Sequence, residues 1–230
     1  MAVIKFGMMM TDARGKLGGQ VFTKTRSGAT VRTKVTPTNP QTTAQQTART
    51  ILGALSSQWR ELTEAQRTAW NSAVGGFANT NIFGDTYNPS GKNLFVGLNS
   101  NLLNAQQTVQ TNAPTPVEVP PLILTSAGVE QSTSEISLTF ATAYPSTSYT
   151  VFYQATKPNS AGRFNFSGQY STFTKNNSGV ALTEAFLFNA YVLKFGYPPL
   201  GSKISFKVFV VVNSNGQKSV ESTNEAIVAL

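Results

Sequence analysis

The chain has 230 residues, 40% of them hydrophobic, a formal net charge of +8, and neither cysteine nor histidine. That length supports two modest domains, or one domain with an appendage. The missing residue types exclude disulfides, thiolate zinc sites, imidazole bases and nucleophiles activated by histidine. Only 12% of residues are charged, so either neighbouring molecules cover much of the surface or it is simply polar with Ser, Thr, Asn and Gln. The first residues, MAVIKFGMMM, lack a continuous apolar core, and no other run is long enough for a signal peptide or a membrane span.

Residues 1–36 read as an extended basic arm with a β-hairpin. No sustained periodicity marks Met1 to Gly19. Two strand-like runs, QVFTKT and ATVRTKV, then flank a turn at Arg26-Ser27-Gly28. Lys24 and Arg26 share one face of the first run, and Arg32 and Lys34 share one face of the second. The alternation allows one ribbon face to carry all four charges. Across the first forty residues, Lys5, Arg14, Lys16, Lys24, Arg26, Arg32 and Lys34 against Asp12 give a net charge of +6. Three readings stand for this arm: docking on an acidic protein surface such as a neighbouring subunit, contact with nucleic-acid phosphates, or solvated charge. Phe22 is the lone aromatic residue between Gly7 and Gln58, so there is no stacking platform for single strands.

Residues 37–112 read as a helical module. Pro37 and Pro40 bias the chain to extended geometry, after which Thr42 or Thr43 caps a helix carrying Ala48, Ile51, Leu52, Leu55 and Trp59 on one face. Thr63 and Gln66 have capping-box spacing at the start of a second helix, and Trp70 and Val74 continue its apolar side. The short connection brings Trp59 and Trp70 to one core. Gly75-Gly76 ends that helix, and a loop follows with Phe77, Ile82, Phe83 and Tyr87 as anchors. Ser90 caps a third helix whose stripe is Leu94, Phe95, Leu98, Leu102 and Ala105. Ser90-Gly91-Lys92 lacks phosphate-loop spacing and marks a helix start.

The string NPQTTAQQTAR followed by WRELTEAQRTAW resembles a segment of structural proteins of tailed bacteriophages and prophages. Asn39, Pro40, Thr42, Gln45, Arg49, Trp59, Leu62, Thr63, Gln66, Arg67 and Trp70 carry the likeness. The stretch SGKNLFVGLNSNLL, Ser90 to Leu103, is similar to a motif that often follows it there.

Residues 106–121 form a Pro-rich linker that is expected to hold two modules apart, with a domain boundary near residue 113. Beyond it the spacing becomes alternating. Seven strand-like runs follow: Leu122 to Thr125, Glu135 to Thr142, Ser148 to Thr156, Gly168 to Thr174, Ala181 to Phe188, Ile204 to Asn213 and Ser222 to Ala229. Pro120-Pro121, SYTVFYQAT and LGSKISFKVFVVVNSNGQKSVES resemble a fibronectin type III or related immunoglobulin-like domain. The chain departs from that pattern in having no Trp in its second strand and Ile204 or Phe206 where Tyr is common. The resemblance implies a binding or spacer module over residues 113–230.

The expected fold class is therefore α+β: a basic ribbon and small helical cluster, then an antiparallel immunoglobulin-like sandwich. The carboxylates show no paired motif or metal spacing, so neither catalysis nor any cofactor or metal is expected. The phage resemblance implies a virion structural protein. It would dock by its arm and helical module into a head-decoration or head-to-tail connector site, in multiple copies, with capsid, connector or tail subunits as partners. Lys24, Arg26, Arg32 and Lys34 would steer docking, while Leu55, Trp59, Trp70, Leu94 and Leu98 hold the helical core. The alternatives are a DNA-binding protein of genome handling and a host-surface adhesin. The adhesin would use Arg163, Phe164, Phe166, Tyr191 and Tyr197, which also suit sheet edges and corners.

Overall fold

The computed structural model describes residues 2–3, 7, 12–25, 28–36, 38–80, 86–143 and 145–230. It divides into two compact units, 1–46 and 47–230. The first is a small antiparallel sheet of β1 (Ala2–Val3), β2 (Gly15–Leu17), β3 (Gln20–Thr25) and β4 (Gly28–Thr33), ordered β1-β4-β3-β2. Gly18-Gly19 turns the chain between β2 and β3, and Gly18 has φ +57°, a left-handed conformation that glycine adopts without strain. Residues 15–17, read from sequence as part of an unpatterned arm, thus form a third ribbon strand. Thr25 pairs with Gly28; the turn residues 26 and 27 lie outside the described residues.

The division falls in the first turn of α1 (Thr43–Glu61), whose start is capped by the Thr42 hydroxyl accepting from the Gln45 amide at 3.4 Å. Residues 43–50 are exposed throughout and Leu52 is 55% exposed, so only the later part of the predicted stripe is buried. α2 (Glu64–Ala73) begins with the capping box read from sequence: Thr63 accepts from the Gln66 amide, and Gln66 accepts from the Thr63 amide. A short 3-10 turn at Val74–Phe77 ends it. The two-residue strands β5 (Asn79–Thr80) and β6 (Thr86–Tyr87) pair across a loop whose tip, including the anchors Ile82 and Phe83, lies outside the described residues. α3 (Gly91–Asn104) follows, capped by Ser90.

Six strands, β7 (Leu124–Glu130), β8 (Glu135–Phe140), β9 (Tyr149–Ala155), β10 (Ser171–Asn176), β11 (Lys203–Val212) and β12 (Ser222–Ala229), form one sheet ordered β10-β9-β11-β12-β7-β8. Two expectations change here. The β12–β7 pairing is parallel, so the sheet is not wholly antiparallel. The fifth run is not a strand but the start of α4 (Glu184–Phe195). ALTEAFLF alternates well enough to look like a strand, yet Leu187, Phe188 and Tyr191 are buried at helical spacing, and Phe195 continues that side. Thr183 supplies the extended N-cap, Glu184 and Lys194 suit the two ends of the helix dipole, and Gly196 at φ +85° stops the helix.

α4 packs against both β8 and β10, the two opposite edges of the sheet. The sheet therefore curls around one helix. Ile136, Val151, Tyr153, Ile204, Phe206, Val208 and Val210 point inward to Tyr191 and Phe188. Tyr191 is fully buried and donates its hydroxyl to the Thr156 carbonyl at 3.0 Å, which satisfies the polar end of the ring. Burial raises its pKa above the ordinary tyrosine value.

The Pro-rich segment joins rather than separates the helices and the sheet. Asn99 brackets Gln110, its amide donating to the Gln110 carbonyl at 3.1 Å and its oxygen accepting from the Gln110 amide at 2.7 Å. Trp70 Nε1 donates to the Thr111 carbonyl at 2.9 Å. Farther on, the Val117 amide donates to Gln217 at 2.7 Å, in the turn between β11 and β12. That turn also abuts α3: a Cβ on Gly216 would lie 2.2 Å from the Leu98 carbonyl oxygen. Ala105 meets Phe152, Phe209 and Val211 on the sheet's outer face. Proline stiffness, expected to space two modules, instead pre-orders a strap whose backbone groups find partners on both.

Candidate docking interface

Register decides what the basic ribbon presents. In antiparallel pairs, residues directly opposite share a face. Lys16 pairs with Val21, and Val21 pairs with Arg32, so Lys16, Val21 and Arg32 align across three strands. Lys34 follows Arg32 by two residues, its amide held by the Gly19 carbonyl at 2.8 Å. Lys16, Arg32 and Lys34, with Val21 and Val35, line a shallow cleft of about 290 Å³. Lys24 pairs with Ala29, which places it on the opposite face with Phe22 and Val31. The expectation that Lys24 shares a face with Arg32 and Lys34 is thereby overturned: with Thr25 opposite Gly28, Lys24 and Arg32 fall in opposite phase.

The two faces also differ in compensation. Asp12, the lone acidic residue of the first forty, lies 3.6 Å from Arg14 and 3.9 Å from Lys24. Among the described residues, no carboxylate pairs with Lys16, Arg32 or Lys34. Arg26 lies outside the described residues. Lys16 was missed by sequence reading because a three-residue strand carries too little alternation to show; the Gly18-Gly19 turn was the available signal.

The helical residues singled out from sequence meet in one cluster. Leu55, Leu62, Trp70, Leu94, Phe95 and Leu98 are buried together, with Trp59 packed on their edge. Phe95 stands between the tryptophans, edge-on to Trp70 at 5.3 Å and tilted to Trp59 at 5.5 Å. Gly91 lets the start of α3 approach Asn71 of α2, where a Cβ would lie 2.2 Å from the side-chain oxygen.

Of the five residues proposed for adhesion, Phe166 and Tyr191 are buried and unavailable. Phe164 is 84% exposed with Lys203 over its ring at 5.0 Å, Tyr197 is exposed, and Arg163 reaches Asn159 Oδ1 at 3.2 Å. Among the described residues no group of three or more carboxylates is placed to hold a metal ion, and no helix is long and apolar enough to cross a membrane.

No family model, curated protein or solved structure matches this chain.

Proposed function

We propose that this chain is a structural protein of a tailed-phage particle, in a head-decoration or head-to-tail connector site, that docks through the Lys16–Arg32–Lys34 face of its ribbon. The observation carrying this reading is that face: three cations with no carboxylate partner among the described residues, in a compact unit of its own. Uncompensated charge of one sign is suited to meet the opposite sign on another surface, steering encounter and fixing orientation. A second copy of this chain, itself at +8, is a poor occupant, so the reading favours an acidic surface of a different virion subunit. The helices and curled sheet would then be carried as one body.

The sheet order also supports a divergent immunoglobulin-like reading of the second half. β10-β9-β11-β12 follows the C′-C-F-G order of such sandwiches, with β7 and β8 as the first two strands and α4 where strands D and E would stand.

The test replaces Lys16, Arg32 and Lys34 by Gln and follows incorporation into particles of the source phage. Incorporation should fall steeply while the variant remains folded. Unchanged incorporation would sink the docking role. The same face favours a second reading, DNA contact during genome handling; it predicts a gel retardation that weakens with salt and is lost in the triple variant.

A further inference from the structure

At the end of the sheet where β9 runs out, three elements converge on a cleft of about 540 Å³, within the range of small-molecule sites. Lys157 and Asn159 come from the segment after β9, Gln169 from the approach to β10 and Ser171 from its first position, and Lys194 and Phe195 from the last turn of α4. The β11–β12 turn that meets α3 is at the other end of these strands, where Asn213 bonds to Ser148. A seven-residue strand separates the two ends by about 20 Å. The cleft thus lies at the end of the sheet opposite that turn.

Its walls are held from beneath. Thr156 is fully buried, its hydroxyl accepting from the Ser205 amide at 3.1 Å and its carbonyl accepting from Tyr191. Asn159 exchanges both backbone hydrogen bonds with Lys203, at 2.9 and 2.8 Å, and Arg163 braces its side chain. The Lys194 ammonium donates to the Thr172 carbonyl and lies 5.9 Å from the Phe195 ring centre. By contrast, the side-chain amide of Gln169, the Ser171 hydroxyl and the Lys157 ammonium have no hydrogen-bond partner among the described residues. Among the described residues no carboxylate lines the cleft, and Glu225 is paired with Lys203.

The chemistry this selects is specific. Two ammonium groups call for an anion, an amide and a hydroxyl with unspent donors and acceptors call for hydroxyl groups, and a phenyl ring beside Pro158 offers an apolar wall to one face of a ring. We propose that this cleft binds an acidic saccharide, its carboxylate between Lys157 and Lys194, its hydroxyls on Gln169 and Ser171, and its ring against Phe195. The negative end of the α4 dipole opposes an anion here, and Lys194 in the last turn offsets it.

The experiment is ligand-observed NMR titration of the full chain with glucuronate and with N-acetylneuraminate, using glucose and inorganic phosphate as comparison probes. At least one acidic sugar should bind saturably and displace neither to glucose nor to phosphate. Lys157→Gln and Gln169→Ala, whose side chains have no hydrogen-bond partner among the described residues, should each weaken it by up to about tenfold while the thermal transition stays unchanged. Absence of saturable binding by both acidic sugars at roughly 10 mM overturns the site. Equal competition by phosphate overturns the saccharide and leaves a bare anion site, and wild-type affinity in both variants overturns the assignment of these residues.

Discussion

Trp70 shows what one side chain does in this molecule. It is fully buried, edge-on to Phe95, and its indole nitrogen ties the Pro-rich strap to α2. Trp70→Ala should cost about 3–5 kcal/mol by denaturant unfolding, from lost burial and the cavity left. Trp70→Phe keeps most of the packing but strands the Thr111 carbonyl, and should cost about 1–3 kcal/mol. Glu221 supplies a pH-dependent counterpart. Burial acts to raise its pKa, but hydrogen bonds from Lys207 and Lys218 and their charges outweigh this and hold it below the ordinary value. A carboxylate with a lowered folded pKa contributes stability that is present above its unfolded value and lost as pH falls through the folded one. Glu221→Gln should therefore destabilise by about 0.5–1 kcal/mol near neutrality, since the group is partly solvated. The difference should vanish in acid, as thermal melts of both proteins across pH would reveal.

At the scale of elements, the turn between β11 and β12 and the helix α4 have the largest consequences. Gly216 has φ +75° and sits against the α3 backbone, so Gly216→Ala is opposed both by its conformation and by the Leu98 carbonyl. A cost of about 1–3 kcal/mol is expected, with looser protection of α3 amides in hydrogen exchange as the specific sign. α4 spans the two sheet edges, and its hydroxyl anchor is Tyr191. Tyr191→Phe should cost about 1 kcal/mol, leaving the Thr156 carbonyl unpaired, whereas Leu193→Gln on the exposed side should lie within about 0.5 kcal/mol of the parent.

For the whole molecule, the division near residue 46 separates a charge-bearing ribbon from a body that contains most of the apolar core. Removal of residues 1–36 should leave that body's cooperative unfolding intact while abolishing particle incorporation, if the proposed docking holds. Normal incorporation of the truncated chain would count against it, whatever its stability.

Much of this architecture was legible in the chain. The Thr63–Gln66 cap, the three helices with their tryptophans, and five of the seven C-terminal runs follow from local rules of capping and periodicity, while the first run, Leu122 to Thr125, meets only the start of the strand Leu124–Glu130. These signals are written within one element and need no partner. The alternation of ALTEAFLF misled because a short, mostly apolar run is compatible with both periods, and the helix is chosen by the two sheet edges that Leu187, Phe188 and Tyr191 fill. Likewise, Lys24 and Arg32 each declare a face of their own strand, but only cross-strand register decides that these faces oppose and that Lys16 joins Arg32 and Lys34. The cleft at the end of β9 lies further still from sequence, since Lys157, Gln169 and Lys194 become neighbours only when the sheet has curled around α4. Composition and periodicity determined the elements and the basic first segment; pairing register and edge closure, which depend on contacts between distant residues, decided what those elements bring together.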